Sequence, residues 1–68
     1  MNIFVNGKPR AVEPNTRLLD VLDLTPDQEL PKGVAVAVDG TVVPRGRVSQ
    51  TVLHEGSRVE VVTAVQGG

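Results

Sequence analysis

The chain has 68 residues and a net charge of −1 from seven basic and eight acidic side chains, with one phenylalanine and no cysteine, tryptophan or tyrosine. A domain of this size buries only about 60% of the surface its unfolded chain exposes, so an enzyme's deep substrate cavity does not fit beside a core. The composition also excludes disulfide staples and thiolate zinc sites, and it lacks the basic excess and aromatic platforms of a nucleic-acid binder.

No apolar run approaches the roughly 20 residues that span a bilayer. The first residues, Met1 to Asn6, read as a strand and not as a basic segment followed by an apolar one, so no secretory signal is expected. A cytoplasmic protein without membrane association is the expectation.

Met1–Asn6 alternates in character, and Asn6-Gly7 is a strong hairpin signal because a type I′ turn needs positive φ at both central residues. Lys8 to Glu13 is the return strand, with Pro9 pointing to an edge position. Pro14 breaks it, and Asn15 or Thr16 is placed to cap a helix. Leu18, Val21 and Leu22 share one face at helical spacing, which predicts a short amphipathic helix over about residues 17–23, with Asp20 and Asp23 on its wetter side. Leu24 to Gly33 reads as a connecting loop.

Val34-Ala35-Val36-Ala37-Val38 is too short and too β-branched for a helix and reads as a buried central strand. Asp39-Gly40 is a second hairpin signal, and Thr41-Val42-Val43 is its short return strand, ended by Pro44. Arg45-Gly46-Arg47 is turn-like, and Val48 to Leu53 fits a 3-10 turn or a loop. Glu55-Gly56-Ser57 is another turn. Arg58 to Val65 is the final long strand, and Gln66-Gly67-Gly68 follows it.

These elements imply an α+β domain, a mixed sheet of four to five strands with one main helix on one face. The expected domain is residues 1–65, with residues 66–68 as a flexible tail. If Ile3, Val5, Val59 and Val61 point to the core, period-two alternation puts Phe4, Val62 and Ala64 on the other face with Ala35 and Ala37. That would form a modest apolar patch beside the root of the tail, a feature that often marks a protein–protein site. An inverted register, or a face covered by the 24–33 and 48–57 loops, is the alternative.

No catalytic constellation is present. His54 is the only histidine and has no metal-ligand partner at the required spacing. Ser49 and Ser57 have no evident base. Asp20 and Asp23 suit a solvated helix face. Gly33, Gly40 and Gly46 do not form a phosphate loop or a dinucleotide fingerprint. Arg45 and Arg47 suit either a solubilising loop or contact with an acidic patch or phosphate on a partner. The terminal Gly67-Gly68 has two readings. One is a frayed end; the other is a side-chain-free tail that enters a narrow site in another protein.

The order of elements resembles the β-grasp, or ubiquitin-like, fold. The block Gly33-Val34-Ala35-Val36-Ala37-Val38-Asp39-Gly40, then Val42-Val43-Pro44-Arg45, and above all the ending Val62-Thr63-Ala64-Val65-Gln66-Gly67-Gly68 closely resemble the ThiS family of sulfur carriers in thiamine biosynthesis. The family often has Asn where Asp39 stands and commonly an aromatic near Val48. The resemblance implies that the chain is a co-substrate and not an enzyme, and that Gly68 is its site of covalent modification. A ThiF-like, E1-type adenylyltransferase using Mg-ATP would adenylate the Gly68 carboxylate. Sulfur from a donor such as a cysteine desulfurase persulfide would convert it to a thiocarboxylate for a ThiG-like thiazole synthase. Gln66 and Gly67 would present the terminus, and Phe4, Val62, Ala64 and Arg45 are candidate docking residues. The chain itself would bind no cofactor or metal.

Two further readings share the fold: a molybdopterin-synthase small subunit, and a ubiquitin-like modifier that forms isopeptide bonds. A β-grasp interaction module with an inert tail is a fourth. From Ala64 to Gly68 an extended tail reaches about 13 Å, at about 3.3 Å per residue. Ordering it costs about 1–2 kcal/mol per residue, which docking contacts from the sheet face would have to offset.

Overall fold

A computed structural model describes residues 1–63 of the chain. The domain boundary expected at residue 65, the expected end of the last strand at Val65, and the functional assignments to Ala64, Gln66, Gly67 and Gly68 lie outside the described residues.

Five strands form one mixed sheet. They are β1 (Asn2–Val5), β2 (Lys8–Ala11), β3 (Val34–Val38), β4 (Thr41–Val42) and β5 (Arg58–Thr63), arranged in the order β2-β1-β5-β3-β4. β1 pairs parallel with β5, and every other pairing is antiparallel. With one short α-helix, α1 (Leu18–Val21), against it, this is the β-grasp arrangement. Pro9 sits on edge strand β2 opposite Phe4, where a missing N–H breaks no interior ladder.

Both Asx-Gly dipeptides form the expected hairpin turns. Asn6 and Gly7 have φ of 49° and 82°, and Asp39 and Gly40 have φ of 52° and 84°. A side chain at Gly7 would meet no atom within 4 Å, so the constraint there is backbone conformation alone. Gly7→Ala is expected to lose about 1–2 kcal/mol in chemical denaturation, the usual penalty for an L-residue in left-handed backbone. An unchanged midpoint would contradict that reading of the turn.

Ile3, Val36 and Val59 bring three strands into the core, where they meet Leu18, Leu19, Val21, Leu30, Val48 and Leu53. The helix is shorter than the sequence predicts, and its buried face is different. Leu18, Leu19 and Val21 are buried, while Leu22 is only half-buried. The physical reason is early termination. Asp23 adopts a left-handed φ of 56°. Its N–H donates to the Asp20 carbonyl at 3.4 Å, and the Leu24 N–H donates to the Leu19 carbonyl at 3.0 Å. This is a Schellman closure with aspartate where glycine is usual.

The N-terminal cap also differs from the expectation at Asn15 or Thr16. Arg17 is the cap residue. Its N–H donates to an Asp20 carboxylate oxygen at 2.9 Å, while the Thr16 hydroxyl donates to the Glu13 carbonyl at 2.5 Å. Asp20 thus serves the start of the helix, and Asp23 lies past its end.

The remaining connections pack on the helix side of the sheet. A 3-10 helix spans Arg45–Gln50, beginning three residues before the Val48–Leu53 segment read as a 3-10 turn or a loop, and it buries Val48. Leu53 follows, with its N–H donating to the Thr16 carbonyl at 3.0 Å. Arg17 and Val52 form an isolated β-bridge that ties this segment to the start of α1. The 24–33 connection contributes Leu30 to the core. Both loops therefore cover the core face and leave the opposite face of the sheet open, so neither the inverted register nor the loop-covered face holds.

Candidate functional site: the open sheet face and the end of β5

Alternation and register assemble the open face. Ala35 lies opposite Val62, Ala37 opposite Glu60 and Val42, and Phe4 opposite Pro9 and Arg58. Directly paired residues share a face, so Phe4, Ala35, Ala37, Val42, Arg58, Glu60 and Val62 all lie on the side away from α1. Phe4 is 37% exposed, Val62 58% and Val42 66%. The apolar group read from the sequence is therefore assembled on one face, except for Ala64, which lies outside the described residues. Val42 belongs to it as well. The sequence signal for Val42 was the same period-two alternation, applied to a strand of only two residues.

Beside this group lies an open groove of about 590 Å³, with Phe4, Asn6, Gly7, Arg58, Val59 and Glu60 among its lining. It sits where β1 ends and β5 continues. The Asn6 N–H donates to the Val59 carbonyl at 2.8 Å, and the Asn6 side-chain oxygen accepts from the Val61 N–H at 2.8 Å. On the other flank of β5, the Asp39 N–H donates to the Arg58 carbonyl at 2.9 Å. An Asp39 carboxylate oxygen accepts from the Arg58 N–H at 2.9 Å. Each Asx-Gly turn thus holds β5 with a side-chain oxygen at the point where the neighbouring strand leaves the ladder. An amide oxygen at position 39 offers the same acceptor, so Asp39 in place of Asn preserves this contact.

Arg45 has a task inside the fold. Its guanidinium donates to the Leu30 and Pro31 carbonyls, the latter at 3.0 Å, and so pins the 24–33 connection over the core. Its candidacy for docking came from charge and position, and charge alone does not reveal this clamp. Val48 is buried among core residues.

Ser57 is buried, and its hydroxyl oxygen accepts from the His54 backbone N–H at 2.8 Å. His54 is exposed. The Asp27 carboxyl is held below its ordinary range, chiefly by the Thr25 hydroxyl that donates to it at 2.6 Å. That pair lies in the 24–33 connection. Among the described residues, no group of three or more His, Cys, Asp or Glu could hold a metal ion. No helix among them is long and apolar enough to cross a membrane.

The ThiS family model matches residues 3–68 of the chain. The crystal structure of a thiamine biosynthesis protein (ThiS) from Geobacter metallireducens is 34% identical and superposes with a TM-score of 0.70, covering 100% of both chains. A solution structure of a thiamine biosynthesis protein from the same organism is 28% identical, with a TM-score of 0.68, covering 100% of this chain and 88% of that one. No curated protein matches the chain.

Proposed function

The chain belongs to the ThiS family, and from that premise we propose that it is a sulfur carrier of thiamine biosynthesis whose Gly68 carboxylate is the reacting group. The observation that carries this reading is a family match running through the terminal Gly-Gly, on a domain whose last strand is flanked by an open, partly apolar face.

A carboxylate is a poor electrophile, so the chemistry requires activation. The Gly68 carboxylate attacks the α-phosphorus of ATP on a ThiF-like adenylyltransferase. Pyrophosphate leaves and an acyl-adenylate forms. A persulfide sulfur then attacks the acyl carbon, and AMP departs. Cleavage of the resulting sulfur–sulfur bond by a thiol leaves the thiocarboxylate. A ThiG-like thiazole synthase consumes that sulfur. ATP and its magnesium belong to the activating enzyme, and the carrier contributes a carboxylate and a docking face. Gln66 and Gly67 lead into the partner's site, where the absent Cβ atoms of Gly67 and Gly68 permit close approach of its walls.

Phe4 and Val62 are the docking residues this reading favours, and Ala64, two residues after Val62 in the sequence, is a further candidate. Val62→Asp is expected to raise KM for the carrier in the adenylation reaction about tenfold, a change of about 1.4 kcal/mol. Its unfolding midpoint should shift by no more than about 1 kcal/mol, because the site is exposed. An unchanged KM would remove the open face from the docking surface.

Carrier-dependent ATP–pyrophosphate exchange with the activating enzyme tests the adenylation step. Exchange that requires the intact chain supports the reading. No exchange with an enzyme that is competent on another carrier contradicts it.

A further inference from the structure

Asn6 has a role that neither its turn geometry nor the proposed chemistry of the terminus accounts for. In a parallel ladder, the residue whose N–H donates to residue j of its partner normally accepts from the N–H of residue j+2 through its own carbonyl. Asn6 follows the first half of this pattern by donating to Val59. Its φ of 49° takes the backbone out of the strand and into the turn. The Val61 N–H then donates to the Asn6 side-chain oxygen. The side chain extends the β1–β5 ladder by one rung after the β1 backbone has turned away. Among the described residues, that rung is the last hydrogen bond from the β1 side to the strand that leads to Gly68.

We propose that Asn6 is a positioning residue for acyl activation at Gly68, its side-chain oxygen holding β5 on its β1 side at the Val61 N–H, two residues before Thr63, the last described residue of that strand. This inference rests on the carrier reading above. A segment whose root is already held has fewer conformations to lose when it is threaded into a partner. The benefit is the same in the bound complex and in the transition state, so its loss should appear in KM and not in kcat.

Two substitutions separate the oxygen from the turn. Asn6→Gly keeps positive φ accessible and removes the acceptor, whereas Asn6→Asp keeps an oxygen acceptor and tolerates the left-handed backbone. In Asn6→Gly, hydrogen exchange at the Val61 amide is expected to rise about 2–10-fold, the loss of one ordinary hydrogen bond. KM for the carrier in adenylation should rise by a similar factor with kcat unchanged, and Asn6→Asp should restore both. Gly40→Ala is the stability control, because it strains the other hairpin and leaves the Asn6 contact intact. It should not change KM.

A rise in KM without faster Val61 exchange would overturn the proposal in favour of direct contact between Asn6 and the partner. Faster exchange with unchanged KM would also overturn it, as would an equal KM effect from Gly40→Ala. A wild-type chain that is not adenylated would overturn both this assignment and the carrier reading. Normal wild-type activation with an indistinguishable Asn6→Gly variant would overturn this one alone.

Discussion

Deletion of Gly68 is expected to lower kcat/KM for adenylation at least about 100-fold while leaving the thermal midpoint unchanged. The shortened chain still ends in a glycine carboxylate, so the chemistry of the group is retained. Its position is not. One residue of extended chain is about 3.3 Å, and a misplacement of about 1 Å at a reacting centre already costs on the order of 100-fold. Stability should not follow, because Gly68 carries no side chain and comes after Thr63, the last described residue of β5. Measuring adenylation kinetics and thermal unfolding on the same preparation checks both halves. Full activity in the deletion variant would show that the reacting group is not where the account places it. A large fall in midpoint would show that the terminus supports the fold.

Leu19→Ala is expected to be among the most damaging single changes in the core. Leu19 is 1% exposed and lies among Leu18, Leu30, Val36, Val48 and Leu53. Truncating a buried leucine costs about 2–5 kcal/mol. A chain of this length has roughly 3–10 kcal/mol in total, at about 0.05–0.15 kcal/mol per residue. The variant should therefore lose roughly 10–40 °C in thermal midpoint, at about 4–8 °C per kcal/mol for a domain of this size. Leu22→Ala is the matched control, since Leu22 is only half-buried and should cost less. Circular dichroism melts of the two variants decide the point. A larger loss at Leu22 than at Leu19 would restore the face that helical spacing suggests and contradict the observed packing.

That pair of variants also shows where reading the sequence stops. Spacing at i, i+3 and i+4 selects Leu18, Val21 and Leu22. It assumes a helix long enough to define a stripe, and α1 has four residues. A left-handed aspartate ends it, a position where glycine would have been the recognisable signal. The strands were more legible because their period is two and their turns carry Asn-Gly and Asp-Gly. Register then follows, and with it the placement of Phe4, Ala35, Ala37 and Val62 on one face.

Leu30 was hidden because a single leucine between charged and proline residues has no period to reveal it. The Arg45 clamp and the hold of Asn6 on Val61 were hidden for another reason. Each joins residues far apart in sequence through a side chain that also suits an exposed turn. The docking face was thus visible in outline, whereas the contacts that fix its edges depend on tertiary structure. Gly67 and Gly68 were singled out by sequence alone and lie outside the described residues.

The central claim concerns one group, the Gly68 carboxylate, and mass spectrometry tests it most directly. The chain is incubated with the activating enzyme, Mg-ATP and a persulfide donor, then fragmented to locate any change. Localisation matters because the single methionine, Met1, gains nearly the same mass by taking up one oxygen on oxidation. The account predicts exchange of one oxygen for sulfur in the C-terminal fragment containing Gly68, dependent on ATP and absent from the N-terminal fragment. Covalent conjugates to lysines of other proteins would contradict it in favour of a modifier, and an unmodified C-terminal fragment would contradict it outright.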